Sequence, residues 1–223
     1  MLNILIASLP AIIFIILFYF LDKDFVKKSW FKLLIVLIVG AVGSYICYRF
    51  EMHFGSYFKK VKDSTYLEVL FYAIFGVAIF EEGYKWLISF CTTSVDKDKK
   101  PKHILIYCVM ASIGFAWFEN IVYFAIPYGL DVTFQRMFTA FPSHICNAIW
   151  MSYLMILCFK SNKFKRIIFG FLSLVIPVVV HALYNSFLYG SRSELLKYNR
   201  IYLIFLCLSS IYLVFKEKKK SDC

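Results

Sequence analysis

Two adjacent glutamates and a lysine in the middle of an apolar stretch are the residues best suited to chemistry in this sequence. They are Glu81, Glu82 and Lys85. An ionisable side chain at the centre of a membrane helix costs roughly 2.5 to 3.5 kcal/mol on insertion scales, so such residues usually face a cavity and carry function. On an α-helix, Lys85 can reach either carboxylate. The two carboxylates point about 100° apart, so both reach one spot only at a bend or in a wide cavity.

Further polar residues occur in three later apolar stretches. Glu119 is followed by Asn120, His144 comes near the start of the next stretch, and His181 precedes Asn185 by four residues on the same helical face. We expect these groups to surround a water-filled cavity at one depth in the membrane. In such a cavity a glutamate takes a proton from water, and histidines polarise a carbonyl or hold a metal.

Each of these polar residues also has a purely structural interpretation. A single buried histidine or asparagine in a membrane protein more often forms a hydrogen bond between helices than it performs catalysis. The glutamates fit that interpretation less well, because carboxylates in lipid are expensive. Their occurrence together with two histidines favours a functional site.

The elements that must position these residues are membrane-spanning helices. The chain of 223 residues is 61% hydrophobic and only 17% charged, and its apolar runs recur at the length that crosses a bilayer. Backbone groups in hydrocarbon must be satisfied internally, which predicts an all-α, polytopic transmembrane helical bundle. The seven predicted spans are Leu2 to Leu21, Trp30 to Tyr48, Leu70 to Ser94, His103 to Ile126, Phe138 to Phe159, Phe164 to Tyr189 and Ile201 to Phe215.

The connections predict one integral membrane domain over residues 1–223, with its functional core at about residues 70–189. The first apolar run lacks the flanks of a signal peptide, so we interpret it as a retained span. Residues 49–66 mix charged and aromatic side chains and suggest an interfacial helix, whereas residues 127–137 are expected to form a loop. The scattered cysteines predict neither a disulfide framework nor a zinc site: Cys47, Cys91, Cys108, Cys146, Cys158, Cys207 and Cys223.

The distribution of positive charge predicts the orientation of the bundle. The formal net charge is +11. Sixteen of the 25 Lys and Arg residues fall in the first, third and fifth connections and the C-terminal tail, and eight fall in the other connections. Basic connections mark the cytoplasm, so we expect the N-terminus outside and the C-terminus in the cytoplasm. The basic residues lie singly at helix ends, which favours contact with anionic lipid and argues against nucleic-acid binding.

The order of these polar motifs resembles that of the PrsW family of bacterial intramembrane proteases. The matching positions are Glu81-Glu82-Gly83-Tyr84-Lys85, then Phe115 to Asn120, then His144, then His181 to Asn185, each on its own span. The CAAX prenyl endopeptidases are similar at a greater distance, but their second motif ends in His where this chain has Glu119. That departure favours the PrsW family.

The resemblance implies a multi-pass protease of the bacterial cell membrane. Its implied substrate is a single-span anti-sigma factor, cut first on the extracytoplasmic side so that a sigma factor is released for a stress response. The implied catalytic residues are Glu81, Glu82, Lys85, Glu119, His144, His181 and Asn185. Glu81 or Glu82 would be the general base, both histidines would stabilise the oxyanion with help from Asn185, and Lys85 would tune a glutamate.

The sequence leaves the cofactor and two other functions open. No HExxH motif is present, yet Glu119, His144 and His181 together with a paired glutamate match the ligands and base of zinc hydrolases, so the cofactor is zinc or none. One alternative function is a CAAX-like endopeptidase. The other is a non-catalytic scaffold or transporter, although the Gly and Pro interruptions do not pair as they do in transporters.

Overall fold

The computed structural model describes residues 2–55, 65–189 and 193–221, and nearly all of them are helical. The α-helices are α1 (Leu2–Leu21), α2 (Lys23–Gly55), α3 (Tyr66–Tyr72), α4 (Ile79–Ser94), α5 (Pro101–Glu119), α6 (Ile126–Phe138), α7 (Ala140–Lys160), α8 (Lys163–Tyr189) and α9 (Ser193–Ser221). Two π-helical segments join neighbouring helices without a break, Ala73–Ala78 between α3 and α4 and Asn120–Ala125 between α5 and α6.

The predicted all-α membrane bundle is confirmed. Within the described ranges, six helical stretches are long and apolar enough to cross a membrane: 2–21, 23–53, 101–123, 126–160, 163–188 and 197–216. The helical path from Tyr66 to Ser94 is equally long, but Glu81, Glu82 and Lys85 interrupt its apolar character. Seven predicted spans therefore correspond to helices, and the orientation of the bundle stays a prediction.

Two connections differ from the prediction. Residues 127–137 are not a loop but most of α6, whose start is favoured by Pro127 and which bends at Gly129, where φ is 80°. The segment is too short and too polar to cross a membrane, which is why hydropathy alone missed it. The proposed interfacial segment also begins inside α2, which continues to Gly55, and its residues 56–64 lie outside the described part of the chain.

Helix α5 lies at the centre of the bundle, with all of its residues from His103 to Ala116 buried. Glycines allow α2 to approach it closely. A Cβ atom on Gly114 would lie 1.9 Å from the carbonyl oxygen of Leu37, and one on Gly40 would lie 2.3 Å from that of Ala111. Any larger residue at either position would force the two helices apart, so these glycines fix α2 against the helix that carries Glu119.

The two π-helical segments lie next to the predicted catalytic glutamates. The first ends three residues before Glu81, and the second begins immediately after Glu119. A π-helical turn holds one more residue than an α-helical turn, so it rotates the side chains that follow it. The turns thereby change which residues of the path from Tyr66 to Ser94, and of the path from Pro101 to Phe138, face the interior.

Candidate active site

Four residues from three helices converge at the centre of the bundle. Glu81 and Glu82 come from α4, His144 from α7 and His181 from α8, and all four are buried. One ligand atom of each lies within 4.8 Å of the others. The structure therefore brings together residues that are up to a hundred positions apart in the sequence, as the predicted cavity requires.

Lys85 places its ammonium group among these residues. Its Nζ lies 2.6 Å from Glu82 Oε1 and 3.7 Å from Glu81 Oε2. It also donates to His144 Nδ1 at 3.2 Å and lies 4.5 Å from the centre of the Phe115 ring. Lys85 is only 1% exposed. A buried ammonium needs such compensation, and Glu82 supplies most of it.

The two adjacent glutamates have different surroundings. Glu82 Oε1 accepts hydrogen bonds from Lys85, from His181 Nδ1 at 2.6 Å and from Asn147 Nδ2 at 3.4 Å. Glu81 Oε2 is buried but has no hydrogen-bond partner within the described part of the chain. Glu82 is thus fixed by its neighbours, whereas Glu81 keeps an acceptor for water or substrate.

Glu119 lies beside the four-residue cluster and not in it. Its Oε1 accepts from Arg136 Nη2 at 2.6 Å, and its Oε2 accepts from His144 Nε2 at 2.9 Å. Arg136 also donates to Asn120 Oδ1 at 2.7 Å. Since a carboxylate only accepts, His144 carries its proton on Nε2, and its Nδ1 is the acceptor for Lys85. Both ring nitrogens of His144 are therefore occupied.

A cavity of about 600 Å³ opens beside the cluster. Three of the predicted catalytic residues line it, one from each of α4, α7 and α8: Glu81, His144 and His181. Asn185 and Glu119 also line it, so the face that His181 and Asn185 share is directed towards the cavity. The cavity is large enough for a short stretch of polypeptide and for water, which peptide hydrolysis requires.

The cluster contains the donor atoms that zinc prefers, but Lys85 occupies their centre. Two imidazoles and a carboxylate form the common ligand set of zinc hydrolases, and Glu82, His144 and His181 would supply it here. The Lys85 ammonium is already bound to Glu82 Oε1 and His144 Nδ1. A zinc ion would have to displace this buried ammonium, so the arrangement does not fit a resident metal.

Three residues of this region were not predicted from the sequence. Arg136 holds Glu119 from α6, Asn147 binds Glu82 from α7, and Glu51 lines the cavity from α2. Asn147 follows His144 by three residues, and this spacing on one helical face is a signal that could have identified it. Arg136 and Glu51 lie in segments interpreted as connections. Charged residues are common in such segments, so neither was a candidate for the site.

Comparison with known proteins identifies the family. The family described as PrsW family intramembrane metalloprotease matches residues 28–214. The chain belongs to the PrsW family. Its relatives include the Protease PrsW of Clostridioides difficile (strain 630), which is 28% identical over 82% of this chain and 78% of that protein. The Protease PrsW of Oceanobacillus iheyensis is 26% identical over 86% of each chain, and that of Shouchella clausii is 25% identical over 99% of this chain and 98% of its own.

Membership of the PrsW family makes this chain a membrane-embedded peptidase. With its membrane-length helices, it is a multi-pass protein of a bacterial membrane, and its substrate is a protein in that membrane. No solved structure is significantly similar to it. The cluster described above lies within the matched region.

Proposed function

We propose that this PrsW protease makes the first cut in a single-span anti-sigma factor, on the extracytoplasmic side of the membrane. The observation that carries this proposal is the buried cluster of Glu81, Glu82, His144 and His181 beside a cavity of about 600 Å³. The orientation expected from the basic connections supports it, because that orientation would put His144 and His181 in the outer half of the membrane and the two glutamates near its middle. A first cut there would commit the anti-sigma factor to degradation and release its sigma factor.

Glu81 is the proposed general base. Its Oε2 is buried, has no described hydrogen-bond partner, and belongs to a residue that lines the cavity. Glu81 takes a proton from water as the water oxygen attacks the scissile carbonyl carbon. When the C–N bond breaks, Glu81 returns that proton to the leaving amine. Glu82, with Oε1 bound to three neighbours, positions the groups around it.

His181 and Asn185 are the proposed donors to the oxyanion of the tetrahedral intermediate. They lie one helical turn apart on α8, and both line the cavity. His181 Nδ1 donates to Glu82, which directs Nε2 away from that carboxylate. A second proton on Nε2 makes the imidazole a cation, whose charge is balanced by Glu81 and Glu82 at 3.9 and 2.6 Å from Nδ1, and Nε2 then donates to the oxyanion. His144 couples Lys85 to Glu119 and fixes the cluster in place.

Activity is expected to persist after chelation of divalent metals, within about twofold of the untreated enzyme, because Lys85 supplies the cation at the centre of the cluster. The measurement is cleavage of a reporter substrate by purified protein before and after treatment with EDTA and phenanthroline, alongside metal analysis. If about one zinc per chain is found and chelation abolishes a cleavage that added zinc restores, the metal-free assignment is wrong.

A reporter assay tests the proposed function. A single-span anti-sigma factor fused to tags on both sides of the membrane is co-expressed with the wild-type protease or with Glu81→Gln. We expect a shortened extracytoplasmic fragment with the wild type only. A cut on the cytoplasmic side would support a CAAX-like orientation. An uncleaved reporter, with another membrane protein cleaved in its place, would refute the anti-sigma factor as substrate.

A further inference from the structure

One wall of the active-site cavity is formed by α2, a helix that carries none of the predicted catalytic residues. Ser44, Tyr48 and Glu51 line the cavity from this helix. Their spacing of four and then three residues places them on one helical face. This face is held in place by the close contact between α2 and α5 at Gly40 and Gly114.

Two hydroxyl groups on this side of the cavity have no hydrogen-bond partner among the described residues. Ser44 is only 2% exposed, and its Oγ has no hydrogen-bond partner within the described ranges. The same holds for the buried OH of Tyr123, whose ring stacks on Tyr48 with centroids 4.0 Å apart. A buried polar group without a partner costs about 1 to 3 kcal/mol, so proteins rarely keep one that nothing satisfies.

The charges around the cavity favour a cationic ligand on the α2 side. Glu51, Glu81 and Glu119 all line the cavity, and the side chains of Glu51 and Glu81 contact each other. The guanidinium of Arg136 is bound to Glu119, and the ammonium of Lys85 is closest to Glu82. Complementary charge across an interface gives specificity, so a basic side chain is the substrate group that suits Glu51.

We propose that Ser44, Glu51 and Tyr123 form a substrate subsite for the polypeptide next to the scissile bond. The hydroxyls of Ser44 and Tyr123 donate hydrogen bonds to main-chain carbonyl oxygens, and Glu51 binds a Lys or Arg side chain of the substrate. An extended polypeptide offers a carbonyl acceptor at every residue, and the two hydroxyls can donate to such acceptors. This inference rests on the proposed proteolytic site.

The first test separates binding from chemistry. For a single-span fusion protein that the wild-type enzyme cleaves, Ser44→Ala and Tyr123→Phe are each expected to raise KM by up to about tenfold and to leave kcat within about twofold. The matched controls are Ser94→Ala and Tyr198→Phe, which remove hydroxyls from exposed residues outside the cavity. Unchanged KM in both cavity variants would overturn the subsite.

The second test exchanges the charge of the subsite. The fusion protein is made with Lys, Met or Glu in turn at the positions flanking the cleaved bond. The wild type is expected to prefer Lys over Glu at one position by about tenfold in kcat/KM, Glu51→Gln to lose this preference, and Glu51→Lys to reverse it.

The outcomes of this exchange distinguish a failure of the proposed subsite from a failure of the proposed catalytic site. If the wild type cleaved its substrate without any preference for Lys, the subsite alone would be overturned. The same conclusion would follow if Glu51→Gln lowered kcat equally for all versions of the substrate. If the wild type and Glu81→Gln cleaved these substrates equally well, both the proposed catalytic site and the subsite would be overturned.

Discussion

Replacing Glu81 by Gln is expected to lower the rate of proteolysis at least about a hundredfold while the protein stays folded. The amide cannot take a proton from water, but it occupies the same volume, and Oε2 of Glu81 gives up no hydrogen bond within the described residues. Glu82→Gln and His181→Ala are expected to reduce the rate by a similar factor, because the first removes the negative charge that binds Lys85 and His181 and the second removes a proposed oxyanion donor. The measurement is the initial rate of cleavage of a membrane-anchored reporter.

The matched control for these variants is Glu68→Gln. Glu68 is exposed on α3, in the same helical path as Glu81, and closes a capping box with Thr65 that glutamine also supports. This control is expected to retain wild-type activity. Near-normal activity in all three cluster variants, with helical content preserved, would show that the cluster does not perform the hydrolysis.

Lys85→Met is expected to destabilise the protein by about 3 to 5 kcal/mol and to abolish activity. The reason is that Glu82 would keep a buried carboxylate without its ammonium partner, and leaving one member of a buried ion pair uncompensated is costly. His144 Nδ1 would lose its donor as well. Stability is measured by denaturant unfolding in detergent, and activity by reporter cleavage in the same preparation.

Lys102→Met provides the comparison for Lys85. Lys102 also forms an ion pair, with Asp22 at 3.1 Å, but its side chain is 45% exposed. Exposed pairs contribute only about 0 to 1 kcal/mol, so this variant is expected to remain close to the wild type in stability. If both variants lost the same free energy of unfolding, burial would not be the reason why the Lys85 ion pair stabilises the protein.

The sequence identified most of the candidate site because charged residues in an apolar chain are rare and expensive. Glu81, Glu82 and Lys85 were identified on that ground, and the two histidines by their occurrence with them. The structure places Lys85 against the cluster that the other four residues form. The helical class follows in the same way, since a bilayer leaves the backbone few alternatives. Hydropathy also located the spans, although a predicted end lies as many as eight residues from the end of its helix, as at the start of α9.

Only the tertiary structure distinguished the roles of neighbouring residues. Glu81 and Glu82 are equivalent in the sequence, yet contacts from α7 and α8 bind Glu82 and leave Glu81 Oε2 without a described partner. Glu119 was a candidate metal ligand because it is a carboxylate. In the structure, both of its carboxylate oxygens accept hydrogen bonds, one from Arg136 and the other from His144.

Arg136 and Glu51 show why such contacts could not be predicted. Arg136 lies on α6, a helix too short and too polar to be recognised by hydropathy, and Glu51 lies in the part of α2 that continues beyond its apolar run. The sequence alone determined that charges are buried and that helices span a membrane, because those facts depend on local composition. Which charges meet depends on how the helices pack, and that packing is set by contacts between residues distant in the chain, such as the approach of α2 to α5 at Gly114.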